Sequence, residues 1–374
     1  MLAWRDLLDP EAGGSEVHAA KVAQAWAEAG LDVTMRTSSA AGHPAYSQRD
    51  GYRVIRKSGR YAVFPRAAVS GLIGRTGPRD GLVEVWNGMP FFSPLWARSP
   101  RVVILHHVHA EMWRMVIKPA ALAKVGELIE FRLAPPVYRR SRLITLSDSS
   151  RDEIVEMLGM QCSRIDVVPP GVDERFSPGG VRSERPLVVA VGRLVPVKRF
   201  DRLVDVLLGL KAEHPDLEAV IVGEGYERAA LEGQIEAAGA QGWLRLPGRL
   251  SDDDLLALYR RAWLLTSTSA REGWGMTITE AGACGTPAVV TDIAGHRDAI
   301  DHEVSGVLSH QVAKDLDVLL RDEDRRRTLG FGAQQRAGAL RWEMTARRTL
   351  EALAGEALAR RRKRPDTRER KTVA

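Results

Sequence analysis

The chain has 374 residues, 44% of them hydrophobic and 27% charged, enough for two soluble domains that each bury a core. No run approaches the roughly twenty apolar residues of a membrane span, and the opening residues do not spell a signal peptide. Cys162 and Cys284 are the only cysteines, too few for a disulfide scaffold or a Cys-built zinc site. The formal charge of +6 is concentrated from Arg360 to Lys371, where eight Lys/Arg stand against two Asp/Glu, so the body is near neutral. A reduced, cytoplasmic protein with no nucleic-acid partner is expected. Its basic end is expected to be a disordered tail, with weak electrostatic contact to anionic lipid at the inner face of the plasma membrane as the sharper alternative.

Met1 to Trp4 has the look of the end of a buried strand, and the expectation is that this strand is clipped and its true start lies upstream. Asp9 to Glu16 follows as a loop containing Gly13-Gly14, then a helix from Val17 to Ala29 and a strand from Leu31 to Met35. Val83–Trp86, Val102–Leu105 and Leu143–Leu146 repeat the apolar theme, and Pro-Pro-Gly at 169–171 with Ser-Pro-Gly-Gly at 177–180 marks a hinge. Beyond it, strands are predicted at Leu187–Val191, Ala219–Val222, Trp243–Leu246, Trp263–Thr266 and Ala288–Val290. Helices are predicted at Phe200–Leu210, Leu231–Ala237, Leu255–Ala262 and Leu340–Ala359. Strands alternating with helices imply parallel sheets covered on both faces, and ligands bind at the carboxyl ends of such strands.

Several stretches at strand ends carry chemistry. Glu272 and Glu280 are separated by seven residues; Gly273-Trp274-Gly275 places Glu272 in a loop, and Glu280 falls in the early turns of a helix that ends near Gly285-Thr286-Pro287. A helix N-terminus attracts phosphate, and carboxylates beside it can only accept hydrogen bonds, which suits sugar hydroxyls. Gly192 to Arg199 supplies Arg193, able to grip phosphate bidentately, and Lys198, a point charge. Val222-Gly223-Glu224-Gly225 has Arg228 where a dinucleotide fingerprint needs its third glycine, which disfavours a nicotinamide enzyme. In His106-His107-Val108-His109 alternation puts His107 and His109 on one face, and no further set of ligand spacing accompanies them. Thr145 to Ser150 reads as a strand end with a helix N-cap, with cleft contact as an additional role. No nucleophile elbow or Walker loop is present.

The paired-glutamate stretch resembles that of the retaining glycosyltransferases of family four, and the other motifs occur in that family's order over nearly the whole chain. The resemblance implies an α/β chain of the GT-B fold, two Rossmann-like domains facing a cleft. The expected divisions are an acceptor-side domain over 1–172, a donor-binding domain over 173–340, a helix over 341–359 that crosses back to the first domain, and the basic tail over 360–374. It implies transfer of a hexose from a UDP- or GDP-linked sugar to an acceptor hydroxyl, lipid-linked acceptors included, with no metal or other cofactor. By resemblance, Arg193 and Lys198 contact the donor diphosphate, Glu272 holds the sugar and Glu280 the ribose, while His109, rather than His107, lies beside the reacting sugar. Gly13, Gly14, Gly223, Leu250, Gly275, Met276 and Thr277 line the donor site. Trp342 is then a packing residue. Asp301 to Gly306 departs from the family in lacking a glycine two residues after Ile300. The alternatives are a non-catalytic partner subunit of the same fold that binds nucleotide sugar or glycan, and a phosphorylase or epimerase.

Overall fold

The computed structural model describes residues 1–74, 77–116 and 119–362. Seven strands belong to the first half: β1 (Thr34–Ser38), β2 (Tyr46–Arg49), β3 (Tyr52–Ser58), β4 (Leu82–Trp86), β5 (Arg101–Leu105), β6 (Arg142–Thr145) and β7 (Ile165–Val167). Hydrogen bonding orders them β1-β3-β2 and β4-β5-β6-β7, with only the β2–β3 pair antiparallel. Met1–Trp4 joins the two sets: Leu2 bridges in parallel to Arg36 on one side and Glu84 on the other. The result is one doubly wound sheet with its topological switch beside the first residues, the place where a ligand cleft forms.

The second half is a six-stranded sheet of β8 (Leu187–Val191), β9 (Glu218–Val222), β10 (Leu244–Gly248), β11 (Leu264–Ser267), β12 (Ala288–Thr291) and β13 (Gly306–Ser309). Its order is β10-β9-β8-β11-β12-β13 and every pair is parallel. That is the order of a doubly wound dinucleotide-type sheet, whose switch point lies between β8 and β11. Near-continuous runs such as Leu187-Val188-Val189-Ala190 are buried because helices cover both faces.

The chain passes between the halves at Val172 and returns at Arg341, and the two crossings pair with each other. The returning helix, Trp342–Arg362, packs on the first half: Ala346 joins the cluster of Ala19, Val22 and Trp26, and the Trp26 indole donates to the Ala346 carbonyl at 2.9 Å. Trp342 is buried, its ring 5.7 Å from that of His18. The helix overruns the boundary expected at Ala359. Arg360, Arg361 and Arg362 continue it, and the Arg360 guanidinium donates to the carbonyls of Arg98 and Ser99, which ties down the first residues of the expected tail. The rest of the expected tail, 363–374, lies outside the described residues. No helix among the described residues is long and apolar enough to cross a membrane.

Two smaller differences have local causes. The helix expected from Val17 starts at Gly14, because Glu16 reaches back to accept the Gly13 N–H at 2.8 Å, the half of a capping box that needs no side chain on the cap residue. In the turn at 301–306 the left-handed residue is Glu303, at φ 62°, which Arg325 holds by a salt bridge of 2.6 Å. The glycine expected two residues after Ile300 would fall on His302, whereas the left-handed conformation is taken by the next residue, Glu303, with its side chain fixed.

Candidate active site

The site is assembled where the carboxyl ends of the two sheets meet. Gly275 caps the helix Met276–Ala283 in the left-handed region at φ 98°. That turn leaves Glu272 in the preceding loop and puts Glu280 in the second turn, on the side facing Tyr259. The Glu272 carboxylate accepts from the Lys198 ammonium and from Ser269 Oγ at 2.8 Å. Burial alone would raise its pKa, but Lys198 beside it holds the carboxyl below its usual range. Glu272 is therefore an ionised acceptor. Lys198 sits in the single-turn helix Pro196–Lys198, whose path is pinned by the Ala270 N–H bonding Val197 at 2.8 Å and by Thr268 Oγ1 bonding Arg199 at 2.9 Å.

Arg193 has no carboxylate within ion-pair distance among the described residues. Its pKa is lowered by burial and then by the nearby Arg5 guanidinium, so positive charge is concentrated here. A side chain on Gly13 would come within 3.3 Å of Arg193 Nε, and one on Gly14 within 3.1 Å of Met276 Sδ. The bare backbone at these two positions lets side chains of the second half lie against the N-terminus of the helix Gly14–Glu28. A cation without a counter-ion beside a helix N-terminus suits a phosphate.

Glu280 accepts from Tyr259 Oη at 3.1 Å, and burial pushes its carboxyl up to about 7 against that hydrogen bond. Thr277 is the second residue of the same helix and half-buried. Gly223 follows β9, and its N–H donates to the Gly248 carbonyl at 2.9 Å, joining the two turns. Leu250, just beyond, packs with Met276 on the apolar cluster around Trp274 and Ile278. Arg228 does not open a phosphate loop: it reaches Glu224 at 2.9 Å and the Leu246 carbonyl at 2.8 Å.

On the facing side, His107 and His109 stack with ring centroids 5.0 Å apart and planes at 13°, while His106 turns away to a 2.8 Å hydrogen bond with His18. His107 Nε2 and His109 Nδ1 are buried without partners. Burial pushes the His109 imidazole down to about 3, reinforced by Arg193 and Arg271, so its ring is neutral. Burial, with the neighbouring imidazoles, does the same to His107. Among the described residues no group of three or more His, Cys, Asp or Glu is placed to hold a metal ion.

The structure thus brings Gly13, Gly14, Arg193, Met276, Lys198 and Glu272 to one place, with His109 on the opposite wall and Glu280 one helix turn deeper. It also adds residues that the sequence reading passed over. Arg271 donates to the Val108 carbonyl at 3.0 Å and pairs with Glu153, which in turn accepts the Val108 N–H at 3.4 Å. Glu130 accepts from the His109 and Ala110 backbones. Ser147 caps its helix as expected, accepting the Ser150 N–H, and its hydroxyl also reaches the Gly273 carbonyl at 3.3 Å. Position beside Glu272 was the signal available for Arg271. Glu130 lay in a stretch whose helical period is broken by Pro135-Pro136.

Two family profiles match the chain, Glycosyltransferase Family 4 over residues 12–176 and Glycosyl transferases group 1 over 172–336. A protein of Salinispora tropica named D-inositol 3-phosphate glycosyltransferase is 34% identical over 61% of this chain and 53% of its own length. The chain spans just over half the length of this relative and of two others of the same name at 31% and 34% identity. Sucrose-phosphate synthase from Thermosynechococcus elongatus superposes with a TM-score of 0.79 at 18% identity, covering 96% of this chain and 98% of that one. HepE of Anabaena, in complex with UDP-glucose, superposes with a TM-score of 0.75 at 18% identity over 95% and 98%. The shared architecture is the GT-B fold, two Rossmann-like halves facing a cleft.

Proposed function

This chain belongs to the glycosyl transferases group 1, the family-four glycosyltransferases, and from its site we infer that it moves a hexosyl group from a nucleoside diphosphate sugar to an acceptor hydroxyl. The observation that carries this reading is Arg193, a half-buried cation with no carboxylate partner among the described residues, set against the Gly13-Gly14 backbone where a helix begins. Departure of a nucleoside diphosphate leaves negative charge there, and fixed positive charge in a site shielded from water stabilises the transition state. Lys198 adds a second cation and keeps Glu272 ionised, so that Glu272 accepts from sugar hydroxyls. Glu280 takes the ribose diol. His109, neutral and aligned by its stack with His107, stands beside the reacting carbon. Both glutamates bind; neither is an acid or nucleophile of the glycosidase kind. Departure and attack on one face of the sugar give retention of configuration.

The UDP-glucose held by the Anabaena structure supports a UDP-linked donor. The name of the Salinispora relative supports a small hydroxylated acceptor, in place of the lipid-linked class. Thermal unfolding with UDP, GDP, ADP and NAD, each with and without magnesium, tests the donor site. UDP at about a hundred times its dissociation constant should stabilise by roughly 2.7 kcal/mol, without magnesium. The corresponding sugar nucleotide should then yield a glycosylated acceptor in place of free sugar. If no nucleoside diphosphate raises the midpoint, the reading fails.

A further inference from the structure

We propose that Glu130 is a positioning residue for His109, a buried carboxylate that holds the histidine's main chain where the sugar reacts. This rests on the reading of His109 given above. Strand β5 ends at Leu105, so no sheet ladder fixes the turn that carries His109. Charged side chains do so instead. Glu130 Oε1 accepts the His109 N–H at 2.8 Å, and Oε2 accepts the Ala110 N–H at 3.2 Å and the Trp113 indole N–H at 2.8 Å. Ala110 is held at φ 45°, a left-handed conformation unfavourable for alanine, and the two adjacent backbone donors converge on one carboxylate. Glu130 is wholly buried. A carboxylate that makes no ion pair among the described residues is costly there unless its oxygens are satisfied.

The helix is shaped to deliver it. Glu130 lies in a π-helical turn, Ile129–Leu133, between the α-helical stretches Ala120–Leu128 and Ala134–Tyr138. Pro135 and Pro136 cannot donate to the ladder, and the Ala134 N–H reaches back five residues to Ile129. Such turns alter the aim of a side chain within a helix and are frequent at functional sites. The ring that depends on this arrangement is close-fitted: His109 Nε2 lies 2.9 Å from where a side chain on Gly88 would begin, and its other face stacks on His107. A shift of the 109–110 backbone therefore moves the imidazole directly.

Glu130→Gln keeps the volume but sets an amide N–H against one of the two backbone donors. The expected result is a fall in kcat of about tenfold or more, with donor KM and the nucleotide-induced rise in midpoint unchanged. In the His109→Ala background the same substitution should cause no further loss of kcat, since the residue it positions is gone. Wild-type kcat in Glu130→Gln, or an equal loss in both backgrounds, would overturn the proposal. Histidine-labelled protein gives a readout that does not depend on transfer: the His109 ring resonances, identified by their disappearance in His109→Ala, should move in Glu130→Gln. Unmoved resonances overturn the positioning role. If wild type binds nucleotide yet transfers no sugar, the functional reading falls and the resonances alone decide for or against Glu130.

Discussion

Glu272 and Glu280 lie on one short segment yet the fold holds them in opposite protonation regimes. Lys198 and Ser269 keep Glu272 ionised, whereas Glu280 is pushed to about 7 by burial, with Tyr259 Oη holding it down. Because the folded pKa lies above the ordinary value, the contribution of Glu280 to stability is full below that ordinary value and is lost as pH rises through about 7. Binding has the opposite sign: the carboxylate that accepts the ribose diol is populated above about 7, so nucleotide affinity should rise across neutral pH. Tyr259→Phe removes the hydrogen bond that lowers the pKa, and the midpoint of this rise should move upward. Titration calorimetry with UDP over a pH series measures it, and a midpoint that moves down or stays put contradicts the assignment. The spacing of the two glutamates was visible in the chain. Their charge states were not, because these depend on Tyr259 and Lys198, which only folding brings close.

At the scale of the element, legibility followed regularity. The run Leu187–Val191 became β8 with the expected limits, since a five-residue apolar run rich in valine and ending at Gly192 is too short for a helix and suits a buried strand. The helix from Gly14 began three residues early because its cap is a glycine and its signal lies in Glu16. The stretch Ala120–Tyr138 escaped notice altogether, although Gly126, Glu130, Ala134 and Tyr138 form a buried row at helical spacing. Its two prolines and its glutamate speak against a buried helix when read singly. The helix that opens the paired-glutamate segment invites a direct test. Gly275→Ala would strain a φ of 98° by about 1–2 kcal/mol, and its methyl would press on Ile278 Cδ1 at 2.7 Å. Unfolding should come several degrees lower, and the stabilisation by UDP should shrink because Met276 and Thr277 shift. A lower midpoint with undiminished ligand stabilisation would show that the cap does not shape the site.

At the scale of the whole molecule, Arg271 joins the two halves at the catalytic face. It leaves the loop of Glu272, pairs with Glu153 and bonds the Val108 carbonyl, so one residue spans both walls of the cleft. Met112 packing on Val195 and Val197 seals the same side. Arg271→Ala should lower kcat by about tenfold, roughly 1.4 kcal/mol at the transition state, with UDP affinity retained. Arg271→Lys should recover only part, because an ammonium lacks the planar fork that serves Val108 and Glu153 together. Steady-state kinetics with separate UDP titrations distinguish the outcomes, and a loss confined to nucleotide affinity would argue that Arg271 belongs to the donor subsite. The returning helix Trp342–Arg362 has a wider consequence. It follows the second sheet in the chain but completes the core of the first, and it lies beyond both matched segments. Boundaries drawn from the two family profiles alone would therefore leave out the helix that covers Trp26 and its neighbours. For this chain the unit that can be inherited, spliced or exchanged intact is larger than the unit that carries the recognisable motifs.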